Sequence, residues 1–288
     1  MKNNQLMIYG AYGYAGELMV REAVAQRLRP IIAGRDAEKL KPIATELSLE
    51  CRAFGVRNTG SNLQDISVLL NCAGPFSATA EPLARACLAQ QIHYLDITGE
   101  IDIFRKCHAL DEEARQQNVL ILPGAGTDIV PTDCLAAMLK EKLPVATRID
   151  LALSFGTNPS IGTVNTMIES FGKGGLIREG GMLKVVSNAF QMRKIPFQNK
   201  PQWAMTIPWG DVFTSGISTG VPDGAVYMAM PRMSIYMIRL TNPVKGILNT
   251  QFGQKITKRL AGWLMKKGPD AKALEAGRGQ FWGEAEAP

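Results

Sequence analysis

The chain has 288 residues, 46% hydrophobic and 20% charged, with 28 glycines and a formal net charge of +6. At roughly 100–200 residues per domain this is one large or two modest domains, and the apolar content excludes disorder as a class. No apolar run reaches the ~18 residues of a spanning helix. The start, Met1-Lys2-Asn3-Asn4-Gln5, leads into an apolar run too short for a secretion signal, so the expected compartment is the cytoplasm.

The five cysteines are dispersed without a C-x-x-C pair and read as reduced thiols. His93 and His108 are too few and too far apart for zinc or a histidine-centred triad, so no metal is expected. The charge is uneven. Residues 1–150 carry 16 Lys+Arg against 18 Asp+Glu, whereas residues 151–288 carry 16 against 8. Such asymmetry suggests two parts, the second with either an anionic partner or simply a solvated basic face.

In chain order, Leu6–Tyr9 reads as a buried strand ending in a glycine-rich turn. Residues 14–27 follow with apolar positions at helical spacing. Pro30–Ala33 is a second strand, and Asp36 is placed to cap a helix through about Leu47. Strands are expected at Cys51–Val56, Ile66–Asn71, His93–Ile97 and Val119–Leu122, with helices at Thr79–Gln90 and Ile101–Gln117. Strand and helix alternate six times without a hairpin signal. The expected fold is α/β, a doubly wound parallel sheet covered on both faces.

After Pro131 the pattern changes. Cys134–Lys142 reads as a helix and Ile149–Phe155 as a strand. A glycine-rich stretch, 156–181, leads to strand-like runs at Met205–Ile207, Gly216–Thr219, Ala225–Met230 and Ser234–Leu240. These predict a second, mixed α/β domain with a largely antiparallel sheet. Residues 244–267 hold a helical candidate with Leu248, Phe252, Ile256, Leu260 and Leu264 every four positions, six Lys/Arg and no acid.

The strongest local signal is Gly10-Ala11-Tyr12-Gly13-Tyr14-Ala15-Gly16, between the first strand and the first helix. Gly10 permits the tight turn, Gly13 a close approach to a pyrophosphate, and Gly16 close helix–sheet packing, with phosphate at the helix N-terminus. Cofactor identity is read at the end of the second strand, where Gly34-Arg35 stands in place of the acid that holds an NAD ribose. A guanidinium there suits a 2′-phosphate, so NADP(H) is the expected cofactor and Asp36 a helix cap.

Ligands of open parallel sheets lie beyond the carboxyl ends of the strands. This brings in Cys72, Ala73, Gly74 and Pro75, then Thr98 and Gly99 before Glu100, then Asp128. Each has a plainer alternative: Gly74-Pro75 as a turn, Glu100 as a cap, Cys72 as a small core residue.

Together, Gly10–Gly16, Ala33-Gly34-Arg35, Asn71–Phe76, Tyr94–Glu100 and Gly126-Thr127-Asp128 with Pro131 and Asp133 resemble the saccharopine dehydrogenase-like oxidoreductases. The resemblance is to a bacterial branch that includes trans-acting enoyl reductases. Further matches are Gly162-Thr163 with Thr166, and Ile207–Asp211. The resemblance implies an NADP-binding Rossmann domain over 1–128 and a substrate and dimerisation domain over 129–288. Members continue beyond the segment matching Phe281–Glu284, so the second domain is expected to lack the usual C-terminal return element.

The implied reaction is hydride transfer to a C=C (enoyl) bond, or to C=N or C=O, of a small-molecule or lipid-linked substrate. No residue stands out as the acid: Asp128 is the weak candidate, Asp133 the second, and both are placed to act as helix caps instead. Asn165, Thr166, Trp209 and Asp211 are the candidate substrate-side residues. The alternative is an NADP(H)-binding sensor or scaffold without turnover. Nucleic acid is not expected, a homodimer is, and 244–267 could touch the inner membrane face peripherally.

Overall fold

The computed structural model describes residues 5–155, 174–244, 250 and 279–288. The chain divides into two compact units, Met1–Val130 and Pro131–Pro288.

The first unit is built on β1 (Leu6–Tyr9), β2 (Ile31–Gly34), β3 (Cys51–Ala53), β4 (Val68–Asn71), β5 (His93–Asp96) and β6 (Ile121–Leu122). Every pairing is parallel and the strand order is β3-β2-β1-β4-β5-β6. The connections are α1 (Tyr14–Ala25), α2 (Ala37–Leu47), α3 (Phe76–Ala89), α4 (Ile101–His108) and α5 (Asp111–Gln116).

Because both faces are covered, the central strands are apolar without alternation, and two cores form, one on each side of the sheet. Met7, Leu69, Leu83, Leu88 and Ile103 fill one; Ile8, Val20, Ile32, Leu40 and Ile43 fill the other. Asp36 caps α2, its carboxylate accepting from the amides of Glu38 and Lys39. The expected single helix over Ile101–Gln117 is two, broken around Leu110, which is buried in the first core.

The second unit opens with α6 (Val130–Lys142). Its sheet contains β7 (Arg148–Phe155), β8 (Gly175–Glu179), β9 (Met182–Val186), β10 (Met192–Ile195), β11 (Gln202–Ile207), β12 (Asp223–Ala229) and β13 (Gly279–Glu286). The order is β10-β11-β12-β7-β13, with the β8–β9 hairpin joined at β12. All pairings are antiparallel except β7 with β12.

Two expected strands are helices. Gly216–Thr219 lies in α7 (Asp211–Thr219) and Ser234–Leu240 in α8 (Arg232–Leu240). In the second run the apolar residues resemble an alternating strand, but only Ile235 is fully buried, once per helical face. In the first, α7 closes over the Arg178 side chain, which donates to the carbonyls of Val212 and Val221 and to the Ser215 hydroxyl. That long-range anchor is invisible to local pattern. The helix expected over 244–267 lies almost wholly outside the described residues.

A charged cluster links β7, β10 and β13 across the second sheet. Buried Asp150 pairs with Arg148 at 2.9 Å and Arg193 at 3.4 Å and accepts from the Ala225 amide, while Arg193 reaches Glu284 at 2.6 Å and stacks over Trp282. Burial nonetheless holds the Asp150 carboxyl above its ordinary pKa.

Candidate functional site

The carboxyl ends of β1, β2, β4, β5 and β6 collect most of the sequence-derived candidates. After β1 the chain turns at Gly10, whose φ of +85° is left-handed and whose amide donates to Ala33 O at 2.7 Å. A Cβ on Gly10 would stand 2.7 Å from the Ala73 amide nitrogen, and one on Gly16 only 2.1 Å from Gly10 O. The loop is thus drawn against the β4 end and folded onto the start of α1, a fit open only to glycine. Gly13 occupies the N-cap of α1 and no side chain caps the helix, so its positive end is left to a ligand.

At the end of β2 the Tyr12 ring lies against Gly34, and Lys39 stands 5.7 Å from the ring centre. Arg35 is exposed, whereas Asp36 is committed to its cap. Lys39 pairs with Asp36 at 3.6 Å, so Arg35 stands at this corner as a cation with no uncommitted carboxylate beside it. The residues fit a dinucleotide carrying a phosphate on its adenosine ribose, judged by the glycine cradle and by this charge arrangement.

Beneath the rim runs a buried network that the sequence reading missed as a unit. Asn71 donates to the Tyr94 hydroxyl at 3.1 Å and to Thr79 Oγ1 at 3.2 Å, and it accepts from the Ala73 amide. Tyr94 donates to Asp96 Oδ2 at 2.8 Å. Asp96 Oδ1 accepts from the amides of Thr98 at 3.0 Å and Gly124 at 2.9 Å. One carboxylate thereby ties together the loops after β5 and β6, and through Tyr94 the loop after β4. Burial raises the pKa of Asp96, and the three hydrogen bonds it accepts oppose that shift. Its signal was local: an acid and a tyrosine two residues apart in a strand with both faces covered need partners.

Cys72 is buried, and its thiol is pushed up to about 12 by desolvation and by Asp96, which fits a small core residue. Gly74, preceding a cis proline peptide, faces open space at its would-be Cβ. Gly74→Ala is expected to leave the urea midpoint unchanged while weakening NADPH binding about tenfold, because the added methyl meets no protein atom and would stand where the cofactor is expected. Titration of both forms by nicotinamide fluorescence checks this. Thr98 and Gly99 follow Asp96, and the Asp128 carboxylate lies beside Gly99. Asp128 keeps solvent access, yet the atoms crowded around it raise its carboxyl pKa by desolvation.

In the second unit, Trp209 is half-buried in the turn after β11, and Asp211 opens α7 with its side chain fully buried, where the helix dipole favours an acid. Asp133 accepts from the Ser218 hydroxyl at 2.6 Å and so ties α6 to α7. Asn165 and Thr166 lie outside the described residues. Among the described residues no group of three His, Cys, Asp or Glu could hold a metal ion, and no helix is long and apolar enough to cross a membrane.

A parallel sheet in this order with a glycine loop after its first strand defines a Rossmann dinucleotide-binding unit. In comparison with known proteins, residues 6–122 match the model of the saccharopine dehydrogenase NADP binding domain. The match covers nearly all of the first unit and supports a nicotinamide dinucleotide site there. Among curated relatives, a saccharopine dehydrogenase-like oxidoreductase of Rattus norvegicus is 26% identical over 231 residues, covering 70% of this chain and 53% of its own. A protein of Mycobacterium tuberculosis, named as a candidate trans-acting enoyl reductase, is 28% identical over 206 residues, covering 64% of this chain and 44% of its own. The solved structure of apo saccharopine dehydrogenase (L-Glu forming) from Saccharomyces cerevisiae shares the fold, with a TM-score of 0.61 at 9% identity. It covers 83% of this chain and 57% of that one. This chain therefore spans about half the length of the curated relatives it matches.

Proposed function

We propose that the protein is an NADP(H)-dependent oxidoreductase of the saccharopine dehydrogenase-like type, reducing a C=C (enoyl) bond or a C=N or C=O bond of a small or lipid-linked substrate. The observation that carries the cofactor choice is the end of β2, where Asp36 is spent on its helix and Arg35 stands exposed. The named relative in Mycobacterium tuberculosis supports the enoyl reading. Bound NADPH would supply the hydride.

The protein's part is positioning. Gly10, Tyr12, Gly13, Tyr14, Ala15 and Gly16 would hold the pyrophosphate. Gly34 and Arg35 would take the adenosine ribose, and Cys72, Ala73, Gly74, Pro75, Thr98 and Gly99 would border the rest. Asp128 would hold a proton at its carboxyl, and its raised pKa extends the pH range over which the proton is kept. Trp209 would face the substrate, whereas the Asp211 side chain is fully buried and gives up the substrate-side role expected of it.

Titration with NADPH and NADH, with Arg35→Ala alongside, tests this. The expected result is NADPH binding weakened roughly 10–100-fold in the variant, the worth of a charge-assisted pair to phosphate, with NADH changed less than twofold. Equal loss for both cofactors would remove the 2′-phosphate role.

One observation favours a second reading, an NADP(H)-binding sensor without turnover. The titratable groups at the strand ends, Tyr94, Asp96 and Cys72, are consumed in holding loops or filling core. NADPH oxidation in the presence of enoyl and imine substrates separates the two: binding without oxidation of any of them selects the sensor.

A further inference from the structure

We propose that the exposed face of α8 is a docking surface for an anionic lipid bilayer. The inference stands apart from the oxidoreductase reading, since it concerns the second unit alone and its test needs no cofactor. α8 buries Ile235 completely. On its opposite side Met233, Tyr236, Met237 and Leu240 follow one another at i, i+3, i+4 and i+7, one stripe of a helix. Their exposures are 71%, 38%, 64% and 78%, an apolar row in solvent that a soluble surface seldom keeps without a use.

The stripe sits on a fixed base. Arg239 donates to Ala189 O at 2.8 Å, and Asn242 bonds Asn188 in both directions, at 2.8 and 3.1 Å, which brings exposed Phe190 beside the helix.

Charge decides the occupant. Arg232 and Arg239 lie along one edge of the stripe, and the helix itself carries no Asp or Glu. A second copy docking by this face would set the stripe on itself and oppose each arginine to its own kind. Anionic headgroups instead accept the arginines while the methionines and Leu240 enter the acyl boundary, which is how interfacial helices hold a membrane.

The test is co-sedimentation of the full chain with phosphatidylcholine vesicles, alone or with about 30% phosphatidylserine. Light scattering alongside reports the oligomeric state. Binding to the anionic vesicles only is expected. Met237→Glu should weaken it at least tenfold, the loss of one buried apolar side chain and the gain of a repelled charge. Met138→Glu, the same change at a 60% exposed methionine of α6, should leave it within twofold. An unchanged circular-dichroism melting curve shows that each variant is folded. No binding to anionic vesicles, or equal binding by Met237→Glu and the parent chain, overturns the proposal. So does a solution dimer that Met237→Glu dissociates, which would assign the face to a second copy.

Discussion

Gly16→Ala is expected to weaken NADPH binding by at least about 100-fold and to lower stability by roughly 1–3 kcal/mol, the usual range for forcing a methyl into filled space. The added Cβ would lie 2.1 Å from Gly10 O and 2.8 Å from Gly10 C, both backbone atoms that no rotamer change can move aside. Relief requires the loop to lift from α1, and the lifted loop also loses the contact of Gly10 with Ala73 and the bond from its amide to Ala33 O. Phosphate affinity and folding stability should therefore fall together. Gly55→Ala is the internal control, since a Cβ there meets nothing within 4 Å. Urea unfolding and NADPH fluorescence titration of both variants check the pair. A Gly16→Ala protein that binds NADPH normally would show that the loop is not the phosphate site.

The second large effect belongs to Asp96. Asp96→Ala removes the acceptor for the Tyr94 hydroxyl and for the amides of Thr98 and Gly124. At about 1–3 kcal/mol for each buried donor left unsatisfied, with water entering the space to recover part, the expected cost is about 3–5 kcal/mol in urea unfolding. Asp96→Asn keeps Oδ1 for the two amides but sets an NH2 against Tyr94, which already accepts from Asn71. The hydroxyl hydrogen is then stranded, at about 1–2 kcal/mol.

The pH dependence follows from the raised pKa of Asp96. A carboxyl whose pKa is higher folded than unfolded binds its proton more tightly in the native state. Its contribution is complete below the unfolded value near 3.9 and is lost as pH rises through the folded value. The stability difference between the parent chain and Asp96→Asn should thus shrink as pH climbs from about 4 and level off above the folded pKa. A difference that instead grew with pH would mean that the hydrogen bonds to Asp96 outweigh its burial.

Much of the first unit was legible residue by residue because its signals are local. The strand before Gly10, the glycine spacing, the cap at Asp36 and the apolar runs of β2, β4 and β5 each follow from neighbours a few positions away. A parallel sheet buried on both faces writes itself as unbroken apolar runs, and helical connections of fixed period separate them. For the same reason Asp36 could be read as a cap before any side chain was placed.

The second unit was legible only in outline. Gly279–Glu286, reading Gly-Gln-Phe-Trp-Gly-Glu-Ala-Glu, has two glycines and two glutamates and little strand propensity, yet it forms β13 by pairing with β7 along its whole length. Gly283 is required there by Leu135 and Leu139 of α6, more than 140 positions away. α7 and α8 look like strands in a short window; as helices, α7 closes over Arg178 and α8 buries Ile235.

The same division holds at the site. Composition, spacing and the glycine loop pointed to a dinucleotide-binding α/β chain. Only the tertiary structure joined Asn71, Tyr94 and Asp96 into one network, set Asp128 beside Gly99 and left the α8 stripe in solvent. Those arrangements depend on which distant groups satisfy one another's hydrogen bonds and burial, a quantity that exists only once the chain has folded.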